Sequence, residues 1–223
     1  MEKSMNEYAV LFDMDGVIFD SESIWKECMK LTNKLFGISF NEKFRQKLCG
    51  QPESGCKELL KSKFPELDAD AYWTLLQTCV YTKMANVGIK IKSGFLEIIT
   101  YLKQNNIKTA LVTGGNRVDV QFKKANLNIN ELFDVVLTAK NYSRGKPDPM
   151  PYQMAAEKLG VPPQKCYVLE DGINGILSAY NAHCRPIMVI DLIKPTKDIK
   201  EKCVLVTKNL KNAQKFIINQ QKK

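Results

Sequence analysis

The sequence predicts an α/β fold, a doubly wound parallel sheet of the Rossmann-like kind with an all-helical domain inserted into it. Short apolar runs alternate with amphipathic helical patterns through most of the 223 residues, which is the pattern of a sheet covered by helices on both faces. The runs are apolar at nearly every position, as strands buried on both faces are. One segment, from Glu22 to Val87, interrupts the alternation because it contains only helical patterns.

The first predicted element is a strand from Tyr8 to Phe12, which ends at turn-forming Asp and Gly residues. The helical segment follows this strand directly. We therefore predict a core domain of residues 1–20 and 88–223 and an inserted helical domain of residues 21–87. Apolar residues at helical spacing predict two buried faces in the insertion: Ile24, Cys28, Leu31 and Leu35, then Tyr72, Leu75, Leu76 and Cys79.

After the insertion, strands and helices alternate again. Ser93 is the predicted N-cap of a helix that carries Leu96, Ile99 and Leu102 on its apolar face. Apolar runs predict five further strands: Thr109 to Thr113, Val135 to Thr138, Cys166 to Glu170, Pro186 to Ile190 and Cys203 to Val206. Two amphipathic helices are predicted between them, from Tyr152, Ala155, Ala156 and Leu159, and from Ile173, Ile176, Leu177 and Tyr180.

The formal net charge of +9 suggests a nucleic-acid partner, but its distribution argues against one. The segment from Lys194 to Lys223 carries nine lysines against two acidic residues, and the whole chain has only four arginines. Arginine is the side chain that base readout and bidentate phosphate contacts favour. We therefore expect no nucleic-acid partner, only a positive field that helps to steer an anionic substrate.

Several compartments and protein classes are disfavoured by composition. Hydrophobic residues make up 44% and charged residues 26%, which excludes a collagen-like or wholly disordered chain. No apolar run approaches the roughly 18 residues of a membrane span, and the first residues do not resemble a secretory signal. The seven cysteines include no CxxC pair, so we expect reduced thiols. The expectation is a cytoplasmic protein, a monomer or weak homodimer, with no membrane partner.

Two carboxylates follow the first strand. Asp13 and Asp15 stand one residue apart, so in extended backbone their side chains point the same way. Ligands of open α/β sheets bind at the carboxyl ends of the strands, which is where this pair lies. Two like charges at close range need a counter-charge, and Mg²⁺ prefers oxygen ligands. A turn with solvated aspartates explains this motif alone equally well.

Three later motifs also fall at predicted strand ends. Thr113 and Gly114, followed by Gly115, form a strand-to-helix turn whose free amides suit an anion. Lys146 lies in a proline-rich loop before a predicted helix, and a second acidic pair, Glu170-Asp171, ends the fourth strand. Each of the three is weak by itself. Together with the first pair they place two acidic pairs, a hydroxyl and a lysine on one edge of the sheet.

The four motifs, in this order, resemble the haloacid dehalogenase-like hydrolase superfamily, and within it the β-phosphoglucomutase-like branch of small-molecule phosphatases. The resemblance extends from Val10 to about Val206, and its most specific part is the DxDGxxxD motif from Asp13 to Asp20. It implies a Mg²⁺-dependent phosphatase that hydrolyses a small phosphorylated metabolite, such as a sugar phosphate, through an aspartyl-phosphate. The helical insertion lies where this branch carries its cap domain.

The resemblance also implies catalytic roles for the motif residues. Asp13 would be the nucleophile that forms the aspartyl-phosphate. Asp15 would be the general acid that protonates the leaving oxygen and then the base that activates water. Thr113, Lys146 and the backbone amide of Gly114 would hold the transferring phosphoryl group.

The cofactor implied by the resemblance is Mg²⁺. Its ligands would be the carboxylates of Asp13, Glu170 and Asp171, together with the backbone carbonyl of Asp15. The glycine at position 175, after the second acidic pair, strengthens the match to the family.

The cap differs from that of the sugar-phosphate mutases of this branch. Those enzymes carry a histidine where this chain has Trp25, and an arginine in the loop that here contains Gln51 and Glu53. Loss of both basic groups favours a hydrolase, in which Trp25, Gln51 and Glu53 would contact the leaving group of the substrate. A sugar-phosphate mutase of the β-phosphoglucomutase type remains the alternative. A third interpretation is a phospho-receiver or regulatory binding protein, which the acidic pair after Lys146 disfavours.

Overall fold

The chain forms two compact units. A computed structural model of the chain describes residues 8–48, 51, 53–114, 127 and 129–221. One unit, the core unit, comprises residues 1–20 and 90–223, and the other, the helical unit, comprises residues 21–89. Within the described residues, no helix combines the length and the apolar character needed to cross a membrane.

The helical unit is built from four helices in its described residues. Their bounds are α1 (Ser21–Leu35), α2 (Glu42–Leu48), α3 (Glu53–Lys63) and α4 (Ala69–Val87). The predicted apolar face of α1 is partly wrong, because Leu31 and Leu35 are 52% and 73% exposed. The buried stripe is rotated toward Met29 and Thr32, and Thr32 can be buried because its hydroxyl donates to the carbonyl of Cys28 at 3.0 Å.

In its described residues, the core unit contains a six-stranded parallel sheet with the order β3-β2-β1-β4-β5-β6. The strands are β1 (Ala9–Phe12), β2 (Lys108–Val112), β3 (Val135–Leu137), β4 (Cys166–Glu170), β5 (Arg185–Val189) and β6 (Leu205–Thr207). The strand order runs outward in both directions from β1, so the sheet is doubly wound and the predicted fold class is confirmed. Each predicted strand is found: β4 has the predicted ends, and the ends of the other strands lie within two residues of the prediction.

The helices of the core unit cover the sheet. Their bounds are α5 (Phe95–Gln104), α6 (Ile129–Leu132), α7 (Met150–Leu159), α8 (Ile173–Asn181), α9 (Lys197–Lys202) and α10 (Leu210–Gln220), with a 3₁₀ turn at Pro163–Lys165. The predicted apolar face of α7 is confirmed, since Tyr152, Ala155, Ala156 and Leu159 are all buried. These side chains pack against β1, β2 and β4 in one apolar cluster.

The start of α5 differs from the prediction. Gly94, not Ser93, occupies the N-cap position, with a left-handed φ of 91° that glycine adopts without strain. A side chain at residue 94 would also crowd Lys211 at the start of α10. The buried face of α5 therefore includes Phe95, while Leu96 is 50% exposed.

The register of the central strands determines which residues meet at the edge of the sheet. Phe12 at the end of β1 lies beside Leu111 of β2 on one side and Leu169 of β4 on the other. Hydrogen bonds continue past the strands, because the amide of Asp13 donates to the carbonyl of Leu169 at 2.9 Å. The residues that follow β1, β2 and β4 therefore adjoin one another.

Candidate active site

Asp13, Thr113 and Glu170 lie together because they end or follow these three adjacent strands. All three are buried. Burial is unusual for the carboxylates of Asp13 and Glu170 unless they are paired. Thr113 is held by its amide, which donates to the carbonyl of Leu137 at 3.0 Å. The sequence prediction that the motifs share one edge of the sheet is consistent with this placement.

Lys146 reaches the site from the loop between β3 and α7. The loop is fixed by Asp148, whose Oδ1 accepts the amide of Met150 at 2.9 Å and whose Oδ2 pairs with Arg144 at 3.2 Å. The carbonyl of Asp148 accepts the hydroxyl of Ser178 at 2.6 Å, which ties the loop to α8. These contacts hold the backbone of Lys146 in place independently of the bonds that its side chain makes.

The ammonium of Lys146 bridges the two buried carboxylates. Its Nζ donates to Asp13 Oδ1 and to Glu170 Oε1, both at 2.6 Å, and to the carbonyl of Val112 at 3.0 Å. The side chains of Lys146, Asp13 and Glu170 are 11%, 12% and 4% exposed. All three hydrogens of the ammonium are thus used, and the orientation of the head group is fixed.

Burial and charge act in opposite directions on this pair. The pKa of Asp13 is raised to about 7, mainly by burial. Lys146 lowers this pKa, whereas the negative charges of Glu170 and Asp15 raise it. Burial alone lowers the pKa of Lys146, but the carboxylates of Asp13 and Glu170 outweigh it and hold that pKa well above its usual value. Lys146 therefore stays charged, and Asp13 needs further positive charge to be fully ionised at neutral pH.

The donor set of the site suits a hard divalent cation. One carboxylate oxygen from each of Asp13, Glu170 and Asp171 lies within 4.8 Å of the others. Mg²⁺ prefers oxygen ligands, and carboxylate oxygens grouped in this way are the donor set that it favours. Gly16 allows Asp171 to approach, because a side chain at residue 16 would overlap the Asp171 carboxylate. The three carboxylates repel one another, and a cation bound between them would offset that repulsion.

The other predicted core-unit residues also lie around Asp13. Asp15 is half-buried, and its backbone forms an isolated β-bridge with Phe19. Its carboxylate is near enough to raise the pKa of Asp13. Gly114 is exposed directly after Thr113, and a side chain there would meet no neighbour among the described residues. Gly115 lies outside the described residues.

The three predicted substrate contacts belong to the helical unit. Trp25 is a half-buried residue of α1 whose ring lies 6.0 Å, centroid to centroid, from that of buried Trp73. Gln51 is exposed between α2 and α3, and Glu53 begins α3. The Glu53 carboxylate forms an ion pair with Lys57 at 2.6 Å. Their part in substrate binding stays a prediction.

Two tyrosines that support the site were missed by the sequence analysis. Tyr152 was predicted only as an apolar-face residue, yet its hydroxyl donates to Glu170 Oε1 at 2.7 Å. The hydroxyl of Tyr142 donates to the carbonyl of Thr113 at 2.7 Å. The available signal was the residue type, because a tyrosine on a fully buried helix face needs a partner for its hydroxyl.

The position of Glu170 depends on Gly175 in α8, because a Cβ at residue 175 would overlap the carboxyl carbon and Oε1 of Glu170. We expect Gly175→Ala to lower the free energy of unfolding by about 1–3 kcal/mol, the usual cost of overpacking. Gly172→Ala is the matched control, since its Cβ would lie 3.8 Å from Glu170 Oε2 and should cost under about 1 kcal/mol. Urea unfolding measures both, and equal losses would contradict the overlap.

Comparison with known proteins gives consistent matches over most of the chain. A family model described as haloacid dehalogenase-like hydrolase matches residues 9–183. The phosphorylated carbohydrates phosphatase of Thermotoga maritima is 29% identical over 177 residues, which are 78% of this chain and 81% of that protein. Hexitol phosphatase A of Escherichia coli is 30% identical over 181 residues, 80% of this chain and 81% of that protein.

A solved structure supports the same grouping. The HAD hydrolase, family IA, variant 3 from Entamoeba histolytica has a TM-score of 0.78 and 26% sequence identity to this chain. The match covers 92% of this chain and 94% of that one. The similarity therefore includes nearly all of both chains.

Proposed function

The chain belongs to the haloacid dehalogenase-like hydrolases, and from that premise we propose that it is a Mg²⁺-dependent phosphatase that hydrolyses a small phosphorylated metabolite through an aspartyl-phosphate. The predicted resemblance to this superfamily is confirmed by the family model and by the two phosphatase relatives. The observation that carries the proposal is the buried bridge Asp13–Lys146–Glu170, with Asp171 beside it. It combines a nucleophile, a fixed cation and metal ligands at one edge of the sheet.

In the first step, a carboxylate oxygen of Asp13 attacks the phosphorus of the substrate. The bond from phosphorus to the leaving oxygen breaks, and Asp15 gives that oxygen its proton. A covalent carboxyl-phosphate on Asp13 divides one difficult displacement into two easier ones. The fixed ion pair with Lys146 supports this role, because it holds the Asp13 side chain in one position.

In the second step, Asp15 accepts a proton from water, whose oxygen attacks the phosphorus. The bond from phosphorus to Asp13 then breaks, which releases inorganic phosphate and restores the carboxylate. Asp15 begins this step deprotonated because it donated its proton in the first. The same side chain thus serves as acid and then as base.

The negative charge on the phosphoryl oxygens must be balanced while the bonds change. We assign Lys146 as a fixed positive charge beside the phosphoryl group, and the Thr113 hydroxyl and Gly114 amide as hydrogen-bond donors to it. Tyr142 supports Thr113 by donating a hydrogen bond to its carbonyl. These donors lie on elements held by the sheet, so little reorganisation accompanies the reaction.

We assign Mg²⁺ to the carboxylates of Asp13, Glu170 and Asp171 with the backbone carbonyl of Asp15. When bound, it supplies positive charge that neutralises the phosphoryl oxygens and orients them. The closely spaced carboxylate oxygens support this assignment. The ionised form of Asp13 would be favoured as well, since an adjacent positive charge lowers a carboxyl pKa.

The substrate class we propose is a sugar phosphate or a similar phosphomonoester. The named activities of the two phosphatase relatives, on phosphorylated carbohydrates and on hexitol phosphate, support it. We propose that the helical unit is a cap in which Trp25, Gln51 and Glu53 contact the leaving group. An aromatic ring suits the apolar face of a sugar, and Gln51 and Glu53 suit its hydroxyls.

Phosphate release from a panel of sugar phosphates, nucleotides and an aryl phosphate tests the proposal. We expect release with Mg²⁺ that falls to background with a chelator, with at least one sugar phosphate among the best substrates. Release that persists in the chelator would contradict the metal requirement. Production of a phosphate isomer without release would favour the mutase, and neither product from any compound would refute an enzyme of this class.

A further inference from the structure

Tyr152 stands directly behind the bridge of buried charges. It belongs to the first turn of α7 and is completely buried. Its hydroxyl donates to Glu170 Oε1 at 2.7 Å, and its ring centroid lies 4.9 Å from Lys146 Nζ. A phenol is protonated at neutral pH, so this hydroxyl is a donor toward a carboxylate. Tyr152 thus contacts both partners of the Lys146–Glu170 ion pair.

The two oxygens of Glu170 are bonded unequally. Oε1 accepts from Lys146 at 2.6 Å and from Tyr152 at 2.7 Å, which uses both of its lone pairs. Oε2 faces the amides of Asp171 and Gly172 at 3.2 and 3.3 Å, at or beyond the long end of the usual range. The bonds to Oε2 are thus longer than those to Oε1, which makes Oε2 the oxygen more open to a further positive partner.

Rotation about the last torsion of a glutamate turns the plane of its carboxylate, and that torsion is broad and weakly restrained. In this site two donors to one oxygen restrain the rotation. Lys146 alone would be a weaker restraint, because a single hydrogen bond leaves the carboxylate able to turn about it. The hydroxyl of Tyr152 is fixed by a rigid ring packed in the apolar cluster of α7 with the sheet.

We propose that Tyr152 is a positioning residue for the metal site: its hydroxyl commits Glu170 Oε1 to Lys146 and so leaves Oε2 to face a divalent cation. This inference rests on the proposed function, since it assumes that Glu170 is a ligand. Residues that hold a ligand in orientation generally change metal affinity about 10–100-fold when they are altered. The effect of Tyr152 should fall in the lower part of that range, because Lys146 remains.

The test is Tyr152→Phe, which removes the hydroxyl and keeps the ring. Mg²⁺ alone is titrated calorimetrically into the chelator-stripped full chain, without substrate. We expect the Kd for Mg²⁺ to rise about tenfold. In turnover assays at saturating Mg²⁺, KM for the phosphate ester should change little, because Tyr152 is completely buried.

Tyr167→Phe is the matched control. Tyr167 is also completely buried in the core unit, on β4, and its hydroxyl accepts a bond from Gln221 at 3.2 Å instead of contacting Glu170. It should lose stability comparably, by about 1 kcal/mol for one hydrogen bond, and bind Mg²⁺ as the wild type does.

The results separate this inference from the proposed function. A Kd for Mg²⁺ that stays within about twofold in Tyr152→Phe, or that rises equally in Tyr167→Phe, overturns the positioning role even if the enzyme is a phosphatase. A wild type that binds Mg²⁺ but releases no phosphate refutes the proposed function, while the tenfold change can still be measured. A wild type that binds no Mg²⁺ overturns the inference.

Discussion

Asp13→Asn should abolish phosphate release, with a loss on the order of 10⁴-fold or more, the scale seen when a covalent nucleophile is removed. Asparagine has nearly the same shape as aspartate, so the backbone after β1 should not move. Its amide cannot form a carboxyl-phosphate, and Lys146 keeps Glu170 as a partner. The variant should therefore fold and fail at the chemical step. Phosphate release and thermal unfolding, measured side by side, check both halves of the expectation.

The matched control for this variant is Asp191→Asn. Asp191 is another partly buried aspartate of the core unit, with a side chain 15% exposed and an ion pair to Lys92 at 2.6 Å. It follows β5 and makes none of the contacts described for Lys146 and Glu170. We expect activity within about threefold of wild type, since the loss of one ion pair affects stability rather than chemistry. Asp13→Asn retaining more than about a hundredth of wild-type activity would contradict the nucleophile assignment.

The sheet and the core-unit site could be predicted because the signals were local. A buried parallel strand is apolar at nearly every position. Polar residues directly after β1, β2 and β4 therefore lie at the carboxyl edge of the sheet. Adjacent strands then bring Asp13 beside Thr113 and Glu170 without any further information. The prediction of a shared site depended on this geometry more than on any single motif.

Features that depend on packing between distant segments could not be predicted. The bond from Lys146 to Asp13 joins residues 133 positions apart, and the hydroxyl of Tyr152 finds its acceptor on a different element. The apolar face of α1 was misjudged because helical spacing fixes which residues share a face but not which part of that face is covered. The N-cap of α5 was misjudged because the choice of Gly94 reflects its contact with α10.

Lys146→Met should lower phosphate release by about 10²–10³-fold, the usual cost of removing one preorganised charge or donor from such a site. Methionine fills a similar volume with an unbranched chain, so packing against Tyr152 is kept. The loss is electrostatic: Asp13 and Glu170 are left facing each other with no ammonium between them. The measurement is the turnover number at saturating Mg²⁺, compared with that of wild type.

The same variant should show a pH-dependent loss of stability when it is measured in chelator. In the wild type, Lys146 lowers the pKa of Asp13, which burial raises to about 7, so its removal raises that pKa further. A carboxyl whose pKa is higher folded than unfolded binds its proton more tightly in the folded state, and stability falls as the pH rises toward the folded pKa. The deficit relative to wild type should therefore be larger at about pH 9 than at about pH 6.

Lys92→Met distinguishes this effect from the loss of any half-buried lysine. Lys92 also pairs with an aspartate at 2.6 Å, and its side chain is 25% exposed against 11% for Lys146. Among the described residues Lys92 pairs with one carboxylate, that of Asp191, so its loss sets no two carboxylates against each other, and turnover should stay near wild type. Equal pH dependence in both variants would mean that the repulsion between Asp13 and Glu170 is not what Lys146 suppresses. A dependence confined to Lys146→Met would identify the ammonium as the charge that allows two buried carboxylates to share one site.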